Sequence, residues 1–385
     1  MKTIQEVELK SVAKIIMGTS PKGNTYNNTG NGLPLINGPT EFGDSHPDCT
    51  LFTTKSLKAC EVGDLIFCVR GSTTGRMNWA NKKYSLGRGV CSIRGKTQTD
   101  TIYIRYCIEQ SLNRLLQLAS GATFPNLTKE TIFSFKIPYP DDRERVVDII
   151  QKYDMLANIN RRRIQLLEEA AQLLFREWFV YFRFPRLGGQ AGHDPIRNEF
   201  SNGVKIVDGV PEGWERRQLE DIAKVKKGRN ITFEQAVEGD IPVVGGGLEP
   251  TYYHNKANVS APVITISASG ANAGFVNLYD TNIWASDCSY VDKNSTKFIY
   301  YLYLRLKSLQ TSIFGLQVGA AQPHVYPKDL NRLRILIAPD DLCKQFEHLV
   351  TPIFTLIMNL KLQNQKLAQA RDLLLPRLMS GKIEV

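Results

Sequence analysis

The chain has 385 residues, enough for two domains with separate cores, and its 42% hydrophobic and 22% charged content is that of an ordinary globular protein. No stretch suits a signal peptide or a membrane span, and seven scattered cysteines (49, 60, 68, 91, 107, 288, 343) without a CxxC pair predict reduced thiols in a cytoplasm, not a disulfide or zinc framework. Of the formal charge of +10, residues 1–141 and 214–339 carry most: 17 Lys and Arg against 11 Asp and Glu in the first, 14 against 11 in the second.

In chain order, residues 1–141 read as a mixed lobe. Leu65–Val69 and Ile102–Tyr106 are short strand-like runs, and a helix is predicted near 103–118. The segment DLIFCVRGSTTGRMN (64–78) sets Arg70, Ser72, Thr73, Thr74, Arg76 and Asn78 beside glycines, which let backbone approach a ligand closely. Arg and Asn bond base edges bidentately, and Ser and Thr serve bases or phosphates, so this loop is a candidate DNA contact.

Residues 142–185 follow as a long helix. Val146, Ile149, Tyr153, Leu156, Ile164, Leu167, Ala171, Leu174 and Trp178 keep mainly three-to-four spacing, with Asp141 and Asp142 as N-cap. Some forty helical residues would span roughly 60 Å. Residues 186–213, rich in Gly and Asn, read as an exposed connection, and His193-Asp194 as a solvated turn before Pro195.

Residues 214–339 form a second mixed lobe. Its strand-like runs are Val263–Ile266 and Leu333–Ile337, with a helix predicted near 297–310. The loop candidates are Ser267, Ser269, Asn272 and Asn277, joined by Gln322 and His324. Residues 340–385 close the chain with a second amphipathic helix, carrying Phe346, Leu349, Ile353, Leu356, Leu360, Leu367, Ala370 and Leu374. Pro352 inside it is expected to kink or divide it.

The two halves are one pattern written twice. Leu9, Ala13, Lys14 and Gly18 recur as Leu219, Ala223, Lys224 and Gly228; Gly71, Gly75 and Asn78 recur as Gly270, Gly274 and Asn277. SGATFPNLTKETI (120–132) aligns with VGAAQPHVYPKDL (318–330). The glycines persist while the polar residues change, Arg70 against Ser269 and Arg76 against Phe275. A shared scaffold with different readers implies two different half-sites. The fold class expected is α+β: two similar mixed lobes alternating with two long helices, packed as an antiparallel coiled coil about a pseudo-two-fold axis.

Catalytic signatures are missing. Gly89 to Gly95-Lys96-Thr97 has one residue too many for a P-loop, and Gly245-Gly246-Gly247 lacks dinucleotide-binding spacing. The Asn/Asp-Pro-Pro-aromatic tetrapeptide of amino-methyltransferases does not occur. PDDRER (140–145) reads as a helix start, and His46, His193, His254, His324 and His348 are isolated. The chain reads as a binder and not as an enzyme.

These segments resemble the DNA-specificity subunit of type I restriction–modification systems over essentially the whole chain. The resemblance rests on GTSPKGNTYN with PLINGPTEFG (18–27 and 34–43), SGATFPNL (120–127) and NRRRIQLLEEAAQLLFREWFVYFRFP (160–185). In the second half it rests on PEGWERRQLEDIAKVKKG (211–228), ISASGANAGFVN, QPHVYPKDL (322–330) and LLLPRLMSGKIEV (373–385). The resemblance implies two target-recognition domains, each reading half of a bipartite asymmetric site in double-stranded DNA. The helices would fix the unread spacer and dock two methyltransferase subunits, which restriction subunits join. S-adenosylmethionine, ATP and Mg2+ would belong to those partners, with no cofactor on this chain. Arg176, Glu177, Trp178 and Phe179 fall on the first helix motif, and Leu374, Leu375, Pro376, Arg377 and Leu378 on the second, as candidates for the coiled coil or the methyltransferase interface. The other reading is a two-lobed nucleic-acid-binding or scaffold protein of another defence system.

Overall fold

The computed structural model describes residues 4–120, 125–184, 206–207, 209–319 and 321–383. The connection expected at 186–213, with His193 and Asp194, lies largely outside them, as do residues 121–124 of the SGATFPNL motif. Two compact units emerge: Met1–Asn158 with Asn364–Val385, and Ile159–Gln363. The fold is α+β, and the units repeat one topology.

In the first unit, β1 (Glu6–Glu8), β2 (Ala13–Met17), β3 (Leu33–Ile36), β4 (Leu65–Cys68), β5 (Met77–Trp79), β6 (Tyr84–Leu86) and β7 (Val90–Gly95) precede α1 (Gln98–Gln110), β8 (Lys136–Pro138) and the start of α2 (Arg143–Phe179). The main sheet is antiparallel in the order β2-β7-β4-β5. β1 pairs with β8, and β3 runs parallel to β6. Both faces of the sheet are covered, so β4 is apolar throughout. Leu65 and Phe67 join the main core with Tyr103, Ile104 and Ile150, whereas Ile66 faces a smaller core with Ile36, Tyr84 and Val90.

The second unit holds β9 (Glu215–Gln218), β10 (Lys226–Lys227), β11 (Ile241–Val244), β12 (Val263–Ser267), β13 (Val276–Tyr279), β14 (Trp284–Ala285), β15 (Cys288–Asp292), α3 (Ile299–Ser308), β16 (Arg334–Ile337) and the start of α4 (Asp340–Met379). Its main sheet is antiparallel in the order β10-β15-β12-β13, β9 pairs with β16, and β11 runs parallel to β14. Ile264 and Ile266 face the main core and Val263 the smaller one.

The run Ile102–Tyr106 is helical, not a strand. A capping box starts α1 ahead of it: Asp100 N donates to Thr97 Oγ1 at 3.0 Å, and Thr97 N to Asp100 Oδ2 at 3.0 Å. The predicted 103–118 and 297–310 helices are each broken into two, Gln98–Gln110 with Leu112–Gln117, and Ile299–Ser308 with Gln310–Phe314.

The long helices have 37 and 40 residues. Within the first unit, residues 143–158 lie beside residues 364–379: Arg371 Nη1 donates to Asp154 Oδ1 at 2.8 Å, and Leu375 and Leu378 share a core with Val146 and Ile150. Within the second, Asn160 bonds Gln363 at 2.9 Å and Phe175 packs on Phe346 at 5.9 Å. Numbers rise along one helix as they fall along the other, the antiparallel arrangement expected. Pro352 does not divide α4, which runs unbroken through it. The proline and His348, whose carbonyl loses a helical partner, are both exposed, which leaves the freed oxygen open to solvent. No helix among the described residues is long and apolar enough to cross a membrane.

Candidate nucleic-acid interface

In each unit the hairpin closing β4–β5 or β12–β13 carries the glycine-rich loop, and its bonds are duplicated. Gly75 N donates to Cys68 O at 2.9 Å as Gly274 N does to Ser267 O at 2.8 Å; Arg76 N donates to Thr73 O at 3.2 Å as Phe275 N does to Asn272 O at 2.9 Å. Gly71, Gly75, Gly270 and Gly274 have φ of 96°, 98°, 79° and 88°, a left-handed turn that glycine alone enters without strain.

A second loop leans on the first in the same way. Gly71 N donates to Pro125 O at 3.2 Å and Gly270 N to Pro323 O at 3.0 Å. Leu127 N reaches Val69 O at 2.9 Å, and Val325 N reaches Ala268 O at 3.0 Å. A third segment, the turn entering β7 or β15, touches the hairpin through Val69 N to Gly89 O at 2.9 Å and Ala268 N to Asp287 O at 3.3 Å. Each unit therefore gathers three backbone loops at one edge of its main sheet.

The candidate side chains divide by what they touch. Arg70, Ser72 and Arg76 are exposed and Thr73 half-buried. Thr74 and Asn78 are buried, contrary to a contact role for their side chains. The Thr74 hydroxyl faces the carbonyls of Gly71 and Pro125 at 2.8 and 2.9 Å, and Asn78 Nδ2 donates to Gly43 O at 2.8 Å. Ser267 is likewise buried, with Gly245 O as its acceptor at 3.5 Å. Asn277 uses Oδ1 to accept from Leu278 N at 2.9 Å. Thr74, Asn78 and Ser267 thus brace the loops from within, whereas Asn277 is half-buried in β13.

Ser269 and Asn272 are half-buried and Gln322 is exposed. Ser269 donates to the Asp287 carboxylate. His324 Nδ1 donates to Gln322 O at 2.8 Å, and its ring stacks on Tyr326 with centroids 6.0 Å apart. Where the first loop has Arg76, the second has Phe275, with Lys307 Nζ 4.1 Å from its ring centre; burial holds that ammonium below its ordinary pKa. Arg88 and Asp287, in the third segment, escaped the sequence reading, because strand pairing and not sequence proximity brings them to the loops.

The helix candidates also divide. Trp178 and Phe179 are core of the second unit, with Phe179 centroids 4.8 Å from Tyr301 and 4.9 Å from Phe346. Leu375 and Leu378 are core of the first unit, with Leu374 and Pro376 half-buried beside them. Arg176 and Arg377 are exposed, and Glu177 pairs with Arg183 at 3.4 Å. Ile159, Leu166 and Leu173, seven residues apart, are 49%, 47% and 58% exposed, leaving an unpaired apolar stripe on α2.

A family model for the type I restriction modification DNA specificity domain matches residues 1–169 and 211–368. The type I restriction enzyme MjaIX specificity subunit of Methanocaldococcus jannaschii is 24% identical, over 98% of this chain and 93% of its own. The HindI specificity subunit of Haemophilus influenzae is 24% identical over 70% of this chain and 74% of its own. A crystal structure of a type I restriction–modification S subunit from M. genitalium superposes with a TM-score of 0.59 at 17% identity, covering 98% of this chain and 97% of that one.

Proposed function

The chain belongs to the type I restriction–modification DNA-specificity family, and from that premise we propose that it reads a bipartite asymmetric site in duplex DNA, one half per lobe. The observation that carries this is the duplicated three-loop edge, one backbone frame presenting Arg70, Ser72 and Arg76 in the first lobe and Ser269, Asn272 and Gln322 in the second. Equal frames with unequal donors and acceptors recognise unequal half-sites.

In this reading the paired helices set the unread spacer and receive two methyltransferase subunits, to which restriction subunits bind. The stripe of Ile159, Leu166 and Leu173 supports docking of a further helix, because exposed apolar residues at seven-residue spacing suit a coiled-coil partner. Arg176, three residues beyond Leu173, and Arg377 near the end of α4 are exposed guanidinium groups suited to acidic partners. The chain itself binds and positions in the cytoplasm; S-adenosylmethionine serves the methyltransferase subunits, which flip an adenine for N6 methylation, and ATP with Mg2+ serves the restriction subunits.

Long-read methylation sequencing tests this in hosts carrying the partner methyltransferase with and without this chain. A gapped asymmetric motif, methylated on adenine in both strands only when the chain is present, is the expected result. No new motif, with the methyltransferase expressed and bound, refutes the proposal.

A further inference from the structure

The Gly245-Gly246-Gly247 run and the turn between β14 and β15 meet at the second lobe's hairpin. A Cβ on Gly246 would lie 2.6 Å from Ser269 O and 3.1 Å from its Oγ, so only glycine permits this approach. Ser269 donates its one hydroxyl proton to the Asp287 carboxylate, while Ala268 N holds the Asp287 carbonyl at 3.3 Å. The side-chain atoms left to an incoming ligand are then all acceptors: the carboxylate oxygens and the lone pairs of Ser269. Asp287 is half-buried and forms no ion pair among the described residues.

The first lobe is opposite in character at the same backbone place. Val69 N bonds Gly89 O there, the adjoining side chain is the exposed Arg88, and the hairpin adds Arg70 and Arg76. At this place the first lobe offers guanidinium donors and the second a carboxylate acceptor. Phosphates, purine N7, guanine O6 and thymine O4 are all acceptors and would be repelled by a carboxylate. In the major groove the donors are the amino groups of cytosine and adenine, and acidic side chains accept from cytosine N4.

We propose that Asp287, oriented by Ser269, whose close approach Gly246 permits, determines specificity in the second lobe by accepting a hydrogen bond from a base amino group, cytosine N4 foremost. This rests on the reading of that lobe as a DNA reader. The carboxylate selects cytosine and rejects guanine and thymine at one position of one half-site.

The test uses the full chain with its methyltransferase, comparing motifs from wild type, Asp287→Asn, Ser269→Ala and Arg76→Ala. The wild-type motif is expected to contain a fixed C·G pair in the half that Arg76→Ala leaves alone, and a half built of A·T pairs only would overturn the inference. Asp287→Asn, which adds donors without changing shape, should relax that position roughly tenfold to a hundredfold and leave the other half unchanged. Ser269→Ala keeps the carboxylate and should keep the preferred base while methylating more slowly. An unaltered motif with Asp287→Asn overturns this inference and spares the bipartite reading, whereas a wild type without a motif overturns both. Loss of all methylation in both the Asp287 and Ser269 variants makes the pair a structural clasp and overturns the inference.

Discussion

At the scale of single residues, the polar groups near the loops do two kinds of work. Thr74 and Asn78 tie the first hairpin to carbonyls 51 and 35 residues away, which no local pattern reveals. Thr74→Val should cost about 1 kcal/mol, seen as a lower denaturation midpoint, and weaken selectivity for one half-site only. Asp100 offers a pH test. Burial works to raise its carboxyl, but hydrogen bonds from Arg143 Nε at 2.6 Å, Tyr139 OH at 2.8 Å and Thr97 at 3.0 Å outweigh it and hold it below the ordinary value. Its contribution is present above the unfolded value of about 3.9 and is lost as pH falls through the lowered native one. Asp100→Asn should therefore lose about 2 kcal/mol at pH 7 and show a shallower acid limb in urea denaturation measured from pH 6 downward. An equally steep limb would count against Asp100 as a source of acid sensitivity.

At the scale of elements, the helices combine apolar packing with a polar contact to one buried amide. Asn160 has no exposed surface and meets Gln363 across the helix pair of the second unit. A buried amide met by a partner on the facing helix favours one register, since a slip would leave the Asn160 amide among apolar side chains. Asn160→Leu should leave the melting temperature equal or higher and broaden the spacers that are methylated. Leu375→Ala, by contrast, opens a cavity in the first unit and should destabilise it by about 2–5 kcal/mol by chemical denaturation. Most of the apolar face joining α2 to its antiparallel partner was legible in sequence because three-to-four spacing reports a buried face, although Leu156, Leu349, Leu356 and Ala370, read as part of it, are exposed. Ile102–Tyr106 misled because β-branched and aromatic residues suit a strand, while the Thr97–Asp100 box that decides for helix lies just upstream. Pro352 misled because the cost of a helical proline depends on whether the carbonyl it frees reaches water. Repeated glycines announced the hairpin loops, but Asp287 joins them only through strand pairing, so the third segment of that edge was invisible in the chain order.

At the scale of the whole molecule, two lobes with one topology and different side chains make specificity modular. One heptad added at matched places in α2 and α4 should lengthen the methylated motif's spacer by about 10 Å, roughly three base pairs. An unchanged spacer would sink the role given to the helices. The division into units has another consequence, in time and not in space. The first unit needs residues 364–385, and the second is the uninterrupted stretch 159–363. A ribosome therefore releases everything the second unit requires before it has finished the first, reversing the usual N-terminal-first order of folding. A chain stopped at residue 363 would hold a complete second unit and an N-terminal lobe still lacking Leu375, Leu378 and Met379. Synthesis that ends early thus yields a product that cannot close the lobe it made first.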